Sequence, residues 1–127
     1  MHFLPEDLDD YVVAHSQQEP KLLQDLTRET WQKVLAPRML SGHFQGRVLS
    51  MISKLIQPTS ILEIGTYTGY SALCLAEGMS KDAVLHTIDI NEELQNFQRK
   101  YFNASGYGDR IIQHVGDAVC VSHGCKT

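Results

Sequence analysis

Residues 61–71 read ILEIGTYTGYS, and this stretch decides the fold because it passes from an apolar run directly into a helical pattern. A short apolar run that ends at a glycine is typical of a buried strand, and Gly65 permits a sharp turn after it. Open α/β sheets bind their ligands just beyond such strand ends, where the next helix begins. The stretch therefore predicts a strand, a glycine turn that a ligand can approach, and a helix.

The segments that follow continue this alternation of strand and helix. Strands are predicted at 60–64, 84–90 and 110–115, and helices at 69–79 and 91–105. Strands that alternate with helices in this order are the signature of β-α-β units and a parallel sheet. We therefore expect an α/β, Rossmann-like fold.

The N-terminal part of the chain predicts helices instead. Apolar residues recur near a period of 3.6 between residues 6 and 36, which indicates two helices, with Pro20 in the first turn of the second. The segment 38–44 has no sustained period and is predicted to be a loop. A third helix carries an apolar stripe that ends before Pro58.

Composition excludes several classes of protein. The 127 residues carry 11 basic and 15 acidic side chains, so the formal charge is -4 and nucleic acid is a poor candidate partner. The start turns acidic by the sixth residue, and no apolar run approaches ~20 residues, so we expect neither a secretory signal nor a membrane span. Three cysteines without C-x-x-C spacing favour a reducing compartment. We therefore expect a cytoplasmic protein.

Two acidic residues indicate which ligand the turn accepts. Asp89 follows Gly69 by twenty positions and ends the second strand, where a carboxylate can accept both hydroxyls of a ribose. Asp89 could instead cap the next helix, although Asn91 suits that role better. Glu63 precedes the first glycine, and Tyr67 occupies the place where the dinucleotide fingerprint has its second glycine. A pyrophosphate would fit poorly here, whereas the cationic groups of S-adenosylmethionine would favour an acid, so this cofactor is preferred to NAD.

At these residues the sequence resembles a known family. LEIGTYTGYSALCLA at 62–76, LHTIDINEE at 85–93 and GDA at 116–118 are similar to the cofactor motifs of the cation-dependent catechol and caffeoyl-CoA type O-methyltransferases. The segment at 39–46 is similar to the one that closes over the methionine end of the cofactor in that family. The resemblance implies a class I methyltransferase fold and methyl transfer from S-adenosyl-L-methionine to a hydroxyl group of a small, aromatic acceptor, with a divalent cation such as Mg²⁺.

The resemblance also implies roles for particular residues at the methionine end. Ser41 would contact the methionine moiety, and Ser71 would hydrogen-bond its carboxylate. Glu63, Gly65 and Thr66 would line the methionine and the central part of the cofactor. A strand-end carboxylate such as Glu63 could instead be merely solvated.

At the other end of the cofactor, Asp89 would hold the ribose, and Asp117 with the backbone of Ala118 would border the adenine. For Asp117 an alternative stays open, because a Gly-Asp pair is ordinary turn chemistry after a strand. Without the resemblance, the residues support only Gly65, Asp89 and, less firmly, Glu63 as cofactor-binding positions.

The resemblance places the metal carboxylates and a catalytic lysine on later strands, and no residue of this chain matches them. We divide the chain into a helical segment and cofactor lid at 1–57, the cofactor-binding core at 58–118 and a divergent tail at 119–127. The tail does not look like the amphipathic helix expected there, which suggests truncation after the third strand. The tail also carries most of a group of histidines and cysteines whose spacing fits no zinc pattern, namely His114, Cys120, His123 and Cys125.

Three interpretations follow from this pattern. The first is an O-methyltransferase, the second a non-catalytic cofactor-binding or regulatory fragment, and the third a structural subunit with a vestigial turn. The first strand is apolar and should be central in the sheet, so a chain that ends after three strands would leave one of its edges unpaired. We therefore expect a homo-oligomer.

Overall fold

The structure is a computed structural model that describes residues 4–124. Six α-helices and three strands follow one another in this range. Their bounds are α1 Glu6–Ala14, α2 Lys21–Lys33, α3 Gly42–Ile56, β1 Ser60–Ile64, α4 Tyr70–Ala76, β2 Val84–Asp89, α5 Gln95–Ser105, β3 Ile111–Val115 and α6 Ala118–Ser122. Across residues 4–124 no helix is long and apolar enough to cross a membrane.

The three strands form one parallel sheet in the order β1-β2-β3. Ser60 pairs with Val84, and Leu85 pairs with Ile111, which sets the register of the two ladders. Parallel neighbours require a crossover, and α4 and α5 provide the two crossovers. The predicted β-α-β order and the parallel sheet are therefore confirmed.

One face of the sheet carries the core, because α4 packs over β2 and α5 packs over β3. Leu85 and Ile111 point from the sheet into this core, and Leu73 and Phe102 meet them from the helices. Helix α3 lies against α4. The opposite face is covered less, because Leu62 at 60% and Ile112 at 40% remain exposed there.

Strand β1 lies at one border of the sheet. Among residues 4–124 its only hydrogen-bonded neighbour is β2, and the side chain of Ile64 is 67% exposed. The free edge of β1 that the sequence predicts is therefore present in this part of the chain.

The structure corrects the sequence-based boundaries in two places. The predicted loop at 38–44 contains a 3-10 helix over Pro37–Met39, and α3 already begins at Gly42. Pro20 precedes α2 as its N-cap residue and does not lie in its first turn. The tail lacks the amphipathic pattern expected of a helix, and in the structure it begins with the short helix α6 over Ala118–Ser122, whose first amides Asp117 caps.

Candidate cofactor site

The glycine turn joins β1 to α4 with an unusual backbone. Gly65 has φ of +96°, and its N–H donates to the carbonyl of Ile88 on β2 at 2.8 Å. Tyr67 also has a positive φ of +50°, and Gly69, the N-cap residue of α4, has φ of +96°. Positive φ favours glycine, so two of these three positions carry the residue that the conformation demands. The chain thus reverses sharply at the end of β1, as the sequence predicts.

Asp89 at the end of β2 faces this turn. Its Oδ2 accepts a hydrogen bond from the Tyr67 N–H at 2.7 Å, and its Oδ1 accepts one from the Asn91 N–H at 2.9 Å. Asn91 in turn accepts the Glu93 N–H at 3.0 Å, so it caps the 3-10 helix Glu92–Leu94 that precedes α5, whereas the sequence predicts it as the cap of one helix over 91–105. Each carboxylate oxygen of Asp89 keeps a lone pair for a further donor.

A cavity of about 680 Å³ opens beside Gly65, Tyr67 and Asp89. The segment between α2 and α3 forms its other wall, with the side chains of Leu35 and Met39 strongly exposed. The remaining lining residues are Lys33, Val34, Asn91, Glu93 and Leu94. The volume falls within the range of pockets that hold small cofactors.

The ring of Tyr67 ties the two walls of the cavity together. Its hydroxyl is close to two consecutive carbonyl oxygens, that of Ala36 at 2.7 Å and that of Leu35 at 3.1 Å. Ala36 has φ of +55°, so this hydroxyl holds a backbone conformation that alanine rarely adopts. From the sequence, Tyr67 is only a departure from the glycine fingerprint. Its contact with Leu35 and Ala36 is not predicted, because these residues lie more than thirty positions away and no local pattern indicates it.

Glu63 lies beneath the turn and does not line the cavity. Its Oε2 accepts the hydroxyl of Ser71 at 2.6 Å, and its Oε1 accepts the hydroxyl of Thr87 at 2.7 Å. Thr87 also meets the hydroxyl of Thr66 at 2.6 Å. Thr87 thus links Thr66 to Glu63, which also binds Ser71. No role is predicted for Thr87 from the sequence, in which it lies two positions before Asp89 on the same strand.

The electrostatics of Glu63 differ from those of a surface carboxylate. Burial raises its pKa, the hydroxyls of Ser71 and Thr87 oppose this shift, and the nearby charge of Asp89 adds to it. The Ser71 hydroxyl has a single proton and donates it to Glu63, so Ser71 could donate to a cofactor carboxylate only after releasing Glu63.

The other residues named from the sequence lie apart from the cavity. Ser41 is the N-cap residue of α3, and its side chain makes no capping hydrogen bond. Asp117 Oδ1 accepts the amides of Val119 at 3.0 Å and Cys120 at 3.1 Å, so it acts as the cap of α6. Ala118 is the first residue of that helix. The adenine role of Asp117 and Ala118 stays a prediction.

The histidines on the sheet form a pair. His86 Nδ1 and His114 Nε2 lie 2.9 Å apart, and the two rings are stacked. Cys125, the last member of the group weighed as a zinc site, lies outside the described residues. Residues 4–124 contain no group of three or more histidine, cysteine or acidic side chains that could hold a metal ion.

A parallel sheet with a glycine turn after β1 and a carboxylate at the end of β2 defines a Rossmann-like fold, and solved methyltransferase structures share it. The chain belongs to the O-methyltransferase family, whose model matches residues 13–125. It is 33% identical over 118 residues to caffeoyl-CoA O-methyltransferase 2 of Zea mays, covering 91% of this chain and 44% of that protein. A caffeoyl-CoA O-methyltransferase of Petroselinum crispum is 33% identical over 103 residues, which cover 81% of this chain and 42% of the relative.

Two solved structures show the same fold. A methyltransferase from Podospora anserina bound to S-adenosylhomocysteine superposes with a TM-score of 0.84 at 27% identity, over 100% of this chain and 57% of its own. The O-methyltransferase TomG of Streptomyces achromogenes, in complex with S-adenosylmethionine, gives a TM-score of 0.84 at 26% identity, over 93% of this chain and 52% of its own. The chain thus spans about half the length of the relatives it matches.

Proposed function

We propose that this chain binds S-adenosylmethionine in the cavity beside the glycine turn and forms the cofactor-binding half of an O-methyltransferase. The observation that supports this most is the placement of Asp89, whose carboxylate the Tyr67 amide holds at 2.7 Å beside a cavity of about 680 Å³. Two solved relatives with the same fold carry this cofactor or its demethylated product. The acceptor we propose is a hydroxyl group on a small, aromatic molecule.

In this proposal the chain binds and orients the cofactor. Asp89 accepts the ribose hydroxyls with its remaining lone pairs, and Gly65 leaves room for the ligand to approach the backbone. Ser41 and Ser71 serve the methionine end, and Asp117 and Ala118 border the adenine. The bound cofactor would supply an electrophilic methyl group on its sulfonium for transfer to the acceptor oxygen.

Glu63 and Thr66 contribute differently from what the sequence suggests. Their side chains lie under the turn, bridged by Thr87, so we propose that they support the turn that borders the cavity. The divalent cation that the resemblance implies is not assigned to any residue between positions 4 and 124, since these contain no suitable group of ligands.

Calorimetric titration with S-adenosylmethionine and S-adenosylhomocysteine tests the proposal, with NAD as the control ligand. We expect both sulfur compounds to bind in a one-to-one ratio and NAD not to bind. Binding of NAD with equal affinity, or binding of none of the three, would refute the cofactor assignment.

A second candidate, with which the same matches are compatible, is a non-catalytic cofactor-binding or regulatory fragment. A methyl-transfer assay with catechol, with and without Mg²⁺, tests whether these residues alone are catalytic. We expect binding without turnover from these residues alone. Turnover that EDTA abolishes would instead establish a complete active site.

The oligomeric state is also a proposal. The free edge of β1 and the exposed side chains of Leu62 and Ile64 support self-association, because paired edges would satisfy the backbone groups and cover apolar surface. Light scattering over a concentration series tests this, and a monomer at every concentration would contradict it.

A further inference from the structure

A buried amide on α5 holds the backbone of the glycine turn. Gln98 is 3% exposed, and its Nε2 donates to the carbonyl oxygen of Tyr67 at 2.5 Å. On the other side of the same residue, the Tyr67 N–H donates to Asp89 at 2.7 Å. Tyr67 has φ of +50°, a conformation that a side chain makes sterically unfavourable, so the surrounding contacts must hold it. Gln98 and Asp89 are two of those contacts.

The orientation of the Gln98 amide follows from a chain of hydrogen bonds that starts at an arginine. The guanidinium of Arg99 can only donate, and its Nε donates to Oε1 of Gln113 at 2.7 Å. The Nε2 of Gln113 must then face Gln98, and it lies 2.8 Å from Oε1 of Gln98. Only the Nε2 of Gln98 is left for the Tyr67 carbonyl. The Nε2 of Gln98 therefore faces the glycine turn because its Oε1 is already bound by Gln113.

The chain of hydrogen bonds is anchored at its far end as well. Arg99 Nη1 donates to the carbonyl of Gly108 at 2.9 Å, and Nη2 donates to that of Ile111 at 2.8 Å. Both acceptors are backbone atoms, with Ile111 the first residue of β3 and Gly108 three residues before it. The amide of Gln98 is thus fixed relative to the sheet and cannot turn away from Tyr67 without breaking several bonds.

We propose that Gln98 is a positioning residue of the cofactor site. It orients Asp89 through the backbone of Tyr67, whose carbonyl it binds and whose N–H binds Asp89. Gln98 does not line the cavity, so it acts without touching a ligand there. The inference rests on the proposed function, because that proposal assigns Asp89 to the ribose. Gln98 binds the carbonyl of the peptide after Tyr67, and Asp89 binds the N–H of the peptide before it. When the Gln98 donor is removed, the backbone angles of Tyr67 lose one of the contacts that hold them, so the Tyr67 N–H is no longer fixed against the carboxylate of Asp89.

The test compares two variants that each remove one buried donor. Gln98→Met keeps the length of the side chain, and Ser53→Ala is the matched control, because Ser53 is 3% exposed and donates to Leu75 O at 2.6 Å where α3 meets α4. We expect Gln98→Met to weaken the binding of S-adenosylhomocysteine and of adenosine by about tenfold each, because the loss of one hydrogen bond has about this effect. Ser53→Ala should change neither affinity by more than about twofold. Equal affinities in the two variants would overturn the proposal.

A double variant tests whether the effect passes through the carboxylate. In an Asp89→Ala background, Gln98→Met should add no more than about twofold to the loss, because coupled residues are not additive. A further loss of about tenfold would show that Gln98 acts by another route.

Hydrogen exchange of the ligand-free protein separates this proposal from the proposed function. Exchange of the Tyr67 amide should be faster in Gln98→Met than in the unaltered chain, and unchanged in Ser53→Ala. Unchanged exchange in Gln98→Met overturns the role of Gln98, whatever the ligand affinities. If the unaltered chain binds neither ligand, the proposed function fails and with it the cofactor role of Gln98, although the exchange result still shows whether Gln98 holds the turn.

Discussion

The two ends of helix α4 are built in opposite ways. At its N-terminal end, Gly69 has φ of +96°, no side chain caps the helix, and the turn borders the cavity. At its C-terminal end, Gly78 lies directly against the backbone of α3, and Glu77 pairs with Arg47. The first end adjoins the turn that borders the cavity, whereas at the second end the backbone of α3 packs directly against Gly78.

Each end of α4 has a carboxylate close to it, Glu77 at the C-terminal end and Glu63 at the N-terminal end, and the two have different partners. Arg47 binds Glu77 in a bidentate manner at 2.9 and 3.0 Å, and although burial opposes it, Arg47 and Ser50 lower the pKa of Glu77. Glu63, at the cavity end, has only hydroxyl partners among its hydrogen bonds, and burial raises its pKa. The closed end therefore stabilises the fold, whereas the open end keeps a buried acid without a cationic partner, as expected beside a functional site.

Gly78→Ala should have the largest effect, because it places an atom where α3 already lies. A Cβ at Gly78 would lie 2.2 Å from the carbonyl carbon of Ser53 and 2.3 Å from the Lys54 nitrogen. These are backbone atoms, so we expect a loss of about 3 kcal/mol or more in the free energy of unfolding. Urea denaturation measures it. The control is Gly106→Ala, where φ is +85° but no atom lies within 4 Å, with an expected loss of about 1 kcal/mol. Similar losses in the two variants would contradict the close contact.

Arg47→Met should have the next largest effect on stability, because it leaves Glu77 partly buried without its main partner. We expect a loss of about 3 kcal/mol, at the low end of the range for broken buried pairs, since the Glu77 side chain keeps 19% exposure. Lys54→Met is the matched control. Its nitrogen lies 3.8 Å from Glu77 and its side chain is 51% exposed, so the loss should stay below about 1 kcal/mol. Equal losses in urea denaturation would show that Arg47 is not the main partner of Glu77.

At the open end, Asp89→Ala should weaken S-adenosylmethionine binding by about 2 kcal/mol, because charge-assisted hydrogen bonds to the ribose are lost. Some stability should be lost too, since Asp89 accepts the amides of Tyr67 and Asn91. Calorimetry gives the affinity, with Asp109→Ala as an exposed control. Unchanged affinity in Asp89→Ala would refute the ribose assignment.

The sequence predicts those parts of the molecule that follow from local rules. The strand order, the turn at Gly65 and the cap at Asn91 could be predicted because periodicity, glycine and capping preferences act within a few residues. Asp89 could be placed because parallel strands end at the same border of a sheet.

The remainder depends on contacts between distant residues. Gln98 reaches Tyr67 across 31 positions, and the Tyr67 hydroxyl reaches Ala36 across 31 positions in the other direction. Glu63 was expected to serve the cofactor, but its orientation depends on which face of the sheet α4 covers, and no local pattern gives this. Helix α6 could not be predicted because its five residues show no clear helical pattern. The capping hydrogen bonds of Asp117 nevertheless satisfy its first amides.

The smallest expected effects are changes in the pH dependence of stability, which we expect in Glu63→Gln and Glu77→Gln with opposite signs. The pKa of Glu63 in the folded chain lies above its ordinary value of 4.5, so the folded state binds this proton more tightly than the unfolded state. The stability from Glu63 is therefore fully present below 4.5 and is lost as the pH rises through the raised pKa. Glu63→Gln removes this titration, so the stability of the variant relative to the unaltered chain should rise between pH 4 and pH 8.

Glu77 has a lowered pKa, so its contribution is present above its ordinary value of 4.5 and is lost as the pH falls through the lowered pKa. Glu77→Gln should therefore lose stability relative to the unaltered chain over the same rise in pH. Urea denaturation of both variants and the unaltered chain at pH 4, 6 and 8 gives the two differences, and their slopes should have opposite signs. Slopes of the same sign would mean that the two carboxylates share one electrostatic environment, and the contrast between the open and the closed end of α4 would then rest on sterics alone.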